Sequence, residues 1–199
     1  MEEIRAFVAI ELPGEVKSAL AALQAQLRSG GHHSVKWVDP ESVHLTLKFL
    51  GNIPASRDGD IIKAMQEAAR GIPPFSLEVT GLGVFPNTRK VRVVWVGLGG
   101  ETDVLNRLQQ RIESNLVPLG FACESRPFSP HLTLCRARES ISPAEQQNLG
   151  QLVSTTACNL QCRFDVVEIS LMRSQLTPGG AIYHRLGVVK LDKPLAKNN

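Results

Sequence analysis

The sequence contains one tetrapeptide twice, as His44-Leu45-Thr46-Leu47 and as His131-Leu132-Thr133-Leu134. The offset between the two copies is 87 residues (131 − 44). An identical segment that recurs at a fixed offset is the signature of an internal repeat, and a repeat decides the architecture of a chain before any single element does.

Two further pairs of segments obey the same offset. An apolar run with arginine in second place, Ile4 to Ala9, aligns with Val91 to Val96. Phe75 to Val79 aligns with Cys162 to Val166 in its apolar and acidic positions. The repeat therefore extends well beyond the tetrapeptide, and each aligned apolar run is typical of a β-strand.

Both halves of the repeat carry a helical pattern between the first strand and the tetrapeptide. Apolar residues at helical spacing predict one helix within residues 16–27, which ends at Gly30-Gly31, and another within residues 104–112. Each half, about 4–86 and 91–173, is predicted to run strand, helix, motif strand, helix, strand.

The order of elements favours an α+β fold. Pro178-Gly179-Gly180 predicts a turn into a last strand near Ile182 to Leu191. Alternating strands and helices also occur in parallel doubly wound sheets, but no glycine-rich phosphate loop follows the first strand. We predict one bilobal domain over residues 1–199, with two pseudo-symmetric lobes on either side of a central cleft. Each lobe should be a small, mainly antiparallel sheet with helices on its outer side.

The repeated motif has the chemistry of phosphoryl transfer. Residues i and i+2 of a strand share a face, so His44 and Thr46 should face the cleft, as should His131 and Thr133. Imidazoles titrate near neutral pH, so one can remove a proton while the other delivers one. Threonine hydroxyls can donate to the non-bridging oxygens as charge builds. We predict these four residues to be catalytic.

Two more residues occupy equivalent positions five residues after each histidine. Phe49 and Arg136 are related by the offset of 87, and a phenyl ring facing a guanidinium could clamp a base by stacking. Regular alternation would point both away from the histidines, so the clamp requires a bulge. Without one, Phe49 is a core residue and Arg136 a surface residue. The same parity predicts Cys135 at the cleft rim, with a packing role for its thiol, and Trp37 and Trp95 are expected to fill the lobes.

Net charge, cysteine spacing and the distribution of apolar residues exclude several classes of protein. A net charge of +3 is too small to indicate a strong duplex binder. The four cysteines fit neither a zinc pattern nor a compact disulfide framework. The N-terminus resembles no signal peptide and no apolar run could span a bilayer. We expect a cytoplasmic protein without contact with a membrane, and most simply a monomer.

A zinc site is the main alternative use of the histidines. It would need a third protein ligand, and neither motif includes Asp or Glu. We therefore expect no metal and no other cofactor.

Both motifs and their surroundings resemble a known family. Trp37-Val38-Asp39-Pro40 precedes the first motif, Phe49-Leu50-Gly51 follows it, and Ser129-Pro130 precedes the second, which Cys135-Arg136 follows. These segments are similar to the 2H phosphoesterases, and within them to the bacterial RNA 2′,3′-cyclic phosphodiesterases, also called 2′-5′ RNA ligases. The further segments that fit the family are Arg5 to Ile10, Gly83 to Pro86, Trp95 and Gly180 to Tyr183.

The resemblance implies an enzyme that hydrolyses a terminal 2′,3′-cyclic phosphate to a 2′-phosphate. Its substrates would be RNA ends or nucleoside 2′,3′-cyclic phosphates. By this analogy His44 protonates the leaving 3′-oxygen, His131 activates water, and Phe49 with Arg136 binds the base. The residues alone do not order the two histidines, because the repeat makes them equivalent.

Two alternatives remain at this stage. The first is a non-catalytic protein that binds RNA ends or nucleotides, although such a protein is expected to have lost at least one catalytic imidazole. The second is 2′-5′ ligation, the reverse reaction, which uses the same residues and differs only in substrate supply.

Overall fold

The computed structural model describes residues 2–31, 34–158, 160, 162–177 and 180–192. It contains four α-helices and nine strands in the described part of the chain. In chain order they are β1 (Glu3–Glu11), α1 (Gly14–Arg28), β2 (Val35–Trp37), β3 (His44–Pro54), α2 (Asp58–Ala69), β4 (Phe75–Phe85), β5 (Val93–Gly100), α3 (Thr102–Leu116), β6 (His131–Ala137), α4 (Pro143–Thr155), β7 (Arg163–Val166), β8 (Glu168–Thr177) and β9 (Gly180–Lys190).

The strands form two antiparallel sheets. The first sheet has the order β3-β1-β8-β9 and the second has the order β2-β6-β5-β4-β7. The prediction of an α+β fold with two mainly antiparallel lobes is confirmed. The helix predicted within residues 16–27 also forms, and it ends at Arg28 shortly before Gly30-Gly31. Pro178 and Gly179 of the predicted last turn lie outside the described residues.

Each sheet takes strands from both halves of the sequence. Strand β4 leaves the first half and lies between β5 and β7, while β8 leaves the second half and lies beside β1. The helices follow the same exchange, since α3 contacts β3 in the first sheet. The lobes therefore do not coincide with the two sequence halves. Strands β2 and β8 were not predicted.

The leucines of both motifs are core residues. Leu45 and Leu47 are buried in the first sheet, and Leu132 and Leu134 are buried in the second. Helix α4 contacts β4, and α2 contacts β9, so helices cover the apolar faces of both sheets. Burying a leucine side chain contributes about 1.5–3 kcal/mol, so these residues fix both motif strands firmly to the lobes.

A β-bulge interrupts each motif strand three residues after its histidine. In the register with β1 the extra residue of β3 is Leu47, and in the register with β5 the extra residue of β6 is Leu134. A bulge breaks the alternation of faces, so the fifth residue after each histidine returns to the histidine's face. Phe49 and Arg136 are exposed accordingly.

The same bulges turn the fourth residue after each histidine into the interior. Buried Lys48 donates from Nζ to Glu113 Oε2 and to the Ala122 carbonyl, each at 2.6 Å. Cys135 is fully buried, and this burial raises the pKa of its thiol to about 12. The prediction that Cys135 lies at the cleft rim is wrong, because strand parity does not survive the bulge.

Two buried glutamines bind the carbonyl groups of the bulged residues. Gln24 of α1 is 1% exposed and donates from Nε2 to the Leu134 carbonyl at 2.9 Å and the Val38 carbonyl at 2.8 Å. Gln109 of α3 is 7% exposed and makes a longer contact of 3.5 Å with the Leu47 carbonyl. Each helix thus supports the motif strand that belongs to the other half of the sequence.

Replacing Gln24 should destabilise the protein. Gln24→Leu keeps the volume but removes the donor to two buried carbonyls, so we expect the free energy of unfolding to fall by about 1–3 kcal/mol. Chemical denaturation measures the change. Gln26→Leu, an exposed position on the same helix, is the control and should alter stability by less than about 0.5 kcal/mol. Equal stabilities for the two variants would contradict the assignment.

Candidate active site

The two motif strands meet where the sheets adjoin. Strands β3 and β6 are in contact although they belong to different sheets. His44 and Thr46 are half-buried and alternate with buried leucines, and so do His131 and Thr133. No hydrogen bond joins either threonine side chain to another described residue, which leaves both hydroxyls available to a ligand.

The two imidazoles are held by the same hydrogen bond. His44 Nδ1 lies 2.9 Å from the Ser42 carbonyl, and His131 Nδ1 lies 2.7 Å from the Ser129 carbonyl. A carbonyl oxygen only accepts, so Nδ1 carries the proton in both rings. The neutral form of each ring therefore has an unprotonated Nε2, which is the atom that can take up or release a proton.

Aromatic rings fix the orientation of His44. Phe7 stacks on its imidazole with 4.6 Å between ring centroids, and Tyr183 meets it edge-on at 4.8 Å. Phe7 belongs to the small buried cluster on this face of the first sheet, and the partly buried Tyr183 packs against it. The Phe49 ring lies 6.2 Å from the Phe7 ring and is itself 61% exposed.

A separate pair of aromatic rings surrounds His131. Phe85 meets its imidazole edge-on at 5.1 Å, and the Trp95 ring lies at 6.2 Å. Trp95 is paired with Thr133 across β5 and β6, so it shares the face of the motif residues. The prediction that Trp95 fills a lobe is therefore wrong. Its ring also covers Gly83, where an added Cβ would lie 2.3 Å from the indole.

Residues of both lobes influence the pKa of His44. Burial lowers the pKa of His44, and the positive charge of Arg136 on the other lobe acts in the same direction. The hydrogen bond to the Ser42 carbonyl and the charge of Glu11 oppose this effect. His44 is thus more easily deprotonated than an ordinary histidine in the free protein.

Glu11 is held as an anion beside His44. Burial raises the pKa of its carboxyl, but hydrogen bonds from Arg185 and Ser170 outweigh burial and lower it overall. Arg185 donates from Nε at 2.7 Å and the Ser170 hydroxyl at 2.5 Å. Glu11 and His44 are opposite each other in the register of β1 and β3.

A cavity of about 790 Å³ brings together residues from both lobes. His44 lines it from the first sheet and Arg136 from the second. Volumes of this order are typical of sites for small molecules and cofactors. His131, Phe49 and the two threonines are not among its lining residues. The cavity therefore lies on the His44 side of the contact between β3 and β6.

Sequence reasoning missed most of the residues around the histidines. Phe7 and Tyr183 occur in segments that resemble the family, but nothing assigned them a role. Glu11 and Arg185 are 174 residues apart in sequence, and no local pattern links them. Phe7 aligns with Val94 at the offset of 87, so the repeat also carried no signal for an aromatic ring at that position.

Metal ligands and membrane spans are both absent from the described residues. These residues contain no group of three or more His, Cys, Asp or Glu side chains placed to hold a metal ion. No helix in the described ranges is long and apolar enough to cross a membrane.

Comparison of the sequence with protein families gives one match that extends over most of the chain. A family described as LigT-like phosphoesterase matches residues 10–95 and again residues 97–183. A relative from Methanothermobacter thermautotrophicus is 34% identical over 95% of this chain and all of its own length, and it is named RNA 2′,3′-cyclic phosphodiesterase. A relative of the same name from Aeropyrum pernix is 34% identical over 83% of this chain and 93% of its own.

Solved structures show the same architecture. Escherichia coli LigT in complex with 3′-AMP has a TM-score of 0.76 and 26% identity, covering 96% of this chain and all of that one. A protein from Thermus thermophilus has a TM-score of 0.76 and 28% identity, covering 96% of this chain and 99% of its own. On its repeated motif, its two adjoining sheets and these likenesses, the chain belongs to the LigT-like phosphoesterase family.

Proposed function

We propose that this protein hydrolyses the 2′,3′-cyclic phosphate ends of RNA to 2′-phosphate ends, using His44 and His131 without a metal ion. The observation that carries the proposal is the matched pair of imidazoles. Each is fixed through Nδ1 to a backbone carbonyl, on strands from different sheets that touch. Membership of a family whose relatives are named RNA 2′,3′-cyclic phosphodiesterase supports this substrate class.

The reaction needs one proton removed and one delivered. A water molecule attacks phosphorus in line with the 3′-oxygen, and His131 Nε2 accepts the proton that the water loses. The bond from phosphorus to the 3′-oxygen breaks, and His44 Nε2 donates the proton that this oxygen gains. The product keeps the phosphate on the 2′-oxygen. Each histidine then holds the other's starting protonation state, and exchange with solvent resets the pair.

The roles of the two histidines follow the family resemblance and are compatible with the environment of His44. Its lowered pKa makes protonated His44 a stronger acid than an ordinary imidazolium. The negative charge of a bound cyclic phosphate favours the protonated ring, which offsets the effect of burial. The free hydroxyls of Thr46 and Thr133 would donate to the non-bridging oxygens of the phosphate.

Phe49 and Arg136 are proposed to clamp the terminal base. The two bulges place both side chains on the faces that carry the histidines, and both are exposed. A base between a phenyl ring and a guanidinium would stack on both without regard to its identity. Arg136 also lines the cavity beside His44, close enough for its charge to affect the pKa of that ring.

Two alternative functions and two general properties remain predictions. A non-catalytic binder would have no need for two imidazoles held in the same tautomer, which favours catalysis. Ligation would join a cyclic phosphate end to a 5′-hydroxyl. It is the reverse of cleaving the phosphodiester bond so formed, and it would use the same groups. The cytoplasmic location and the monomeric state are expectations from the sequence.

The decisive experiment uses the wild-type protein, a defined oligonucleotide with a 2′,3′-cyclic phosphate end, and product analysis that locates the phosphate. We expect a 2′-phosphate product, formed equally well after EDTA treatment. His44→Ala and His131→Ala should each lower turnover by about 10²–10⁴-fold. His184→Ala, at an exposed position of β9, is the matched control and should retain activity. Full activity in either folded catalytic variant would refute the mechanism.

The pH dependence of kcat/KM should report the charge of Arg136. The His44 pKa in the free enzyme sets one of the two limbs of this profile, and we expect that limb below the ordinary histidine pKa of about 6.5. Arg136→Gln removes a charge that lowers the His44 pKa, so the limb should move to higher pH. Arg136→Lys keeps the charge and should leave the limb in place. If neither limb moves when the charge at position 136 is removed, the profile does not report the pKa of His44.

Removal of the Phe49 ring should weaken binding of the base. Stacking contributes about 1–3 kcal/mol per base, so Phe49→Ala should raise KM for a nucleoside 2′,3′-cyclic phosphate roughly 5- to 150-fold. A cyclic phosphodiester without a base should be unaffected. Val117→Ala, another exposed apolar position, is the control. Equal losses on the two substrates would exclude a stacking role for Phe49.

A further inference from the structure

Two cations lie side by side on the cleft face of the second sheet. Lys36 of β2 and Arg136 of β6 are directly opposite each other in the register of these strands, so their side chains share a face. Both are exposed, and neither forms an ion pair with any described residue. Like charges directly opposite in a sheet are destabilising. This arrangement therefore costs stability unless an anion binds between or beside the two groups.

Lys36 and Arg136 both line the cavity that contains His44. Lys17, the other lysine of this wall, lies 3.3 Å from Glu41 and forms an ion pair with it. Asp39 accepts a hydrogen bond from the Glu41 backbone amide and keeps its negative charge. Glu11 is bound by Arg185, as described above. Lys36 and Arg136 have no ion-pair partner among the described residues, so they are the candidate anion-binding groups of this wall.

The opposite wall is apolar. Leu176 of β8 lines the cavity and is 69% exposed. It is opposite Ala181 and shares a face with Tyr183, whose ring contacts His44. An exposed large apolar side chain next to an anion-binding wall suits a ligand that has both a flat apolar part and a negative charge.

We propose that Lys36 binds the phosphodiester on the 5′ side of the terminal nucleotide, with the preceding base resting against Leu176. The proposal rests on the function proposed above. If Arg136 stacks on the terminal base, the strand leaves the clamp past Lys36, which is the outer neighbour of Arg136 in the sheet. The preferred substrate is then the end of an RNA strand, and a free nucleoside 2′,3′-cyclic phosphate is a poorer one.

The test compares two substrates in the same variants. One is a nucleoside 2′,3′-cyclic phosphate, and the other is a trinucleotide with the same cyclic phosphate end. Lys36→Gln should lower kcat/KM for the trinucleotide on the order of tenfold, the loss expected for one charge-assisted contact. It should leave kcat/KM for the mononucleotide within about twofold. Lys36→Arg should keep most of the trinucleotide activity, because the charge is retained.

Salt dependence gives a second readout that a structural role would not affect. Each phosphate contact to a single strand contributes about −0.7 to the slope of log binding constant against log salt concentration. Lys36→Gln should therefore flatten the slope for the trinucleotide by about 0.7. Lys63→Gln removes the charge of another exposed lysine, which does not line the cavity, and is the control. The melting temperature of Lys36→Gln should not fall, since a like-charge pair is relieved.

The outcomes separate this proposal from the one on which it rests. Hydrolysis of the mononucleotide by the wild-type protein tests the proposed function. The ratio of the two substrates in Lys36→Gln tests the subsite. Equal losses on both substrates, or no loss on either, would overturn the subsite while leaving the phosphodiesterase function standing. A wild-type protein that hydrolyses neither substrate would instead refute the function.

Discussion

The arrangement of the candidate site depends on the paired β-bulges at Leu47 and Leu134. Without them, the fifth residue after each histidine would point into a lobe. With them, Phe49 and Arg136 return to the face of the imidazoles, and the intervening residue turns inward. Buried glutamines from the helices contact the carbonyl groups of the bulged residues, and these contacts stabilise the bulges.

Each motif strand is supported by a helix from the other half of the sequence. Helix α1 comes from the first half of the sequence, yet its Gln24 binds the second motif strand. Helix α3 comes from the second half, yet its Gln109 contacts the first motif strand. The buried pair of Lys48 and Glu113 links the same two elements. Each motif strand is therefore held in part by side chains from the other half of the chain.

The repeat makes the two histidines equivalent in sequence, but their surroundings differ. His44 is packed between Phe7 and Tyr183 and lies opposite a carboxylate in the sheet. His131 is opposite Gly97 at the corresponding position and has no such carboxylate beside it in the register. This difference breaks the symmetry of the duplicated motif. It provides a physical basis for giving an acid role to one ring and a base role to the other.

The recurring tetrapeptide was sufficient to find the repeat and, with it, the two-lobed α+β class. Local periodicity was sufficient for the motif strands and the main helices, because burial imposes a period of two on strands and 3.6 on helices. The residue types of the motif also indicated the chemistry. Strand order, the exchange of β4 and β8, and the positions of Cys135 and Trp95 were decided only in three dimensions. A single extra residue reverses strand parity, and contacts such as that between Glu11 and Arg185 join segments far apart in sequence. No local pattern encodes either effect, because both depend on which surfaces the folded chain brings together.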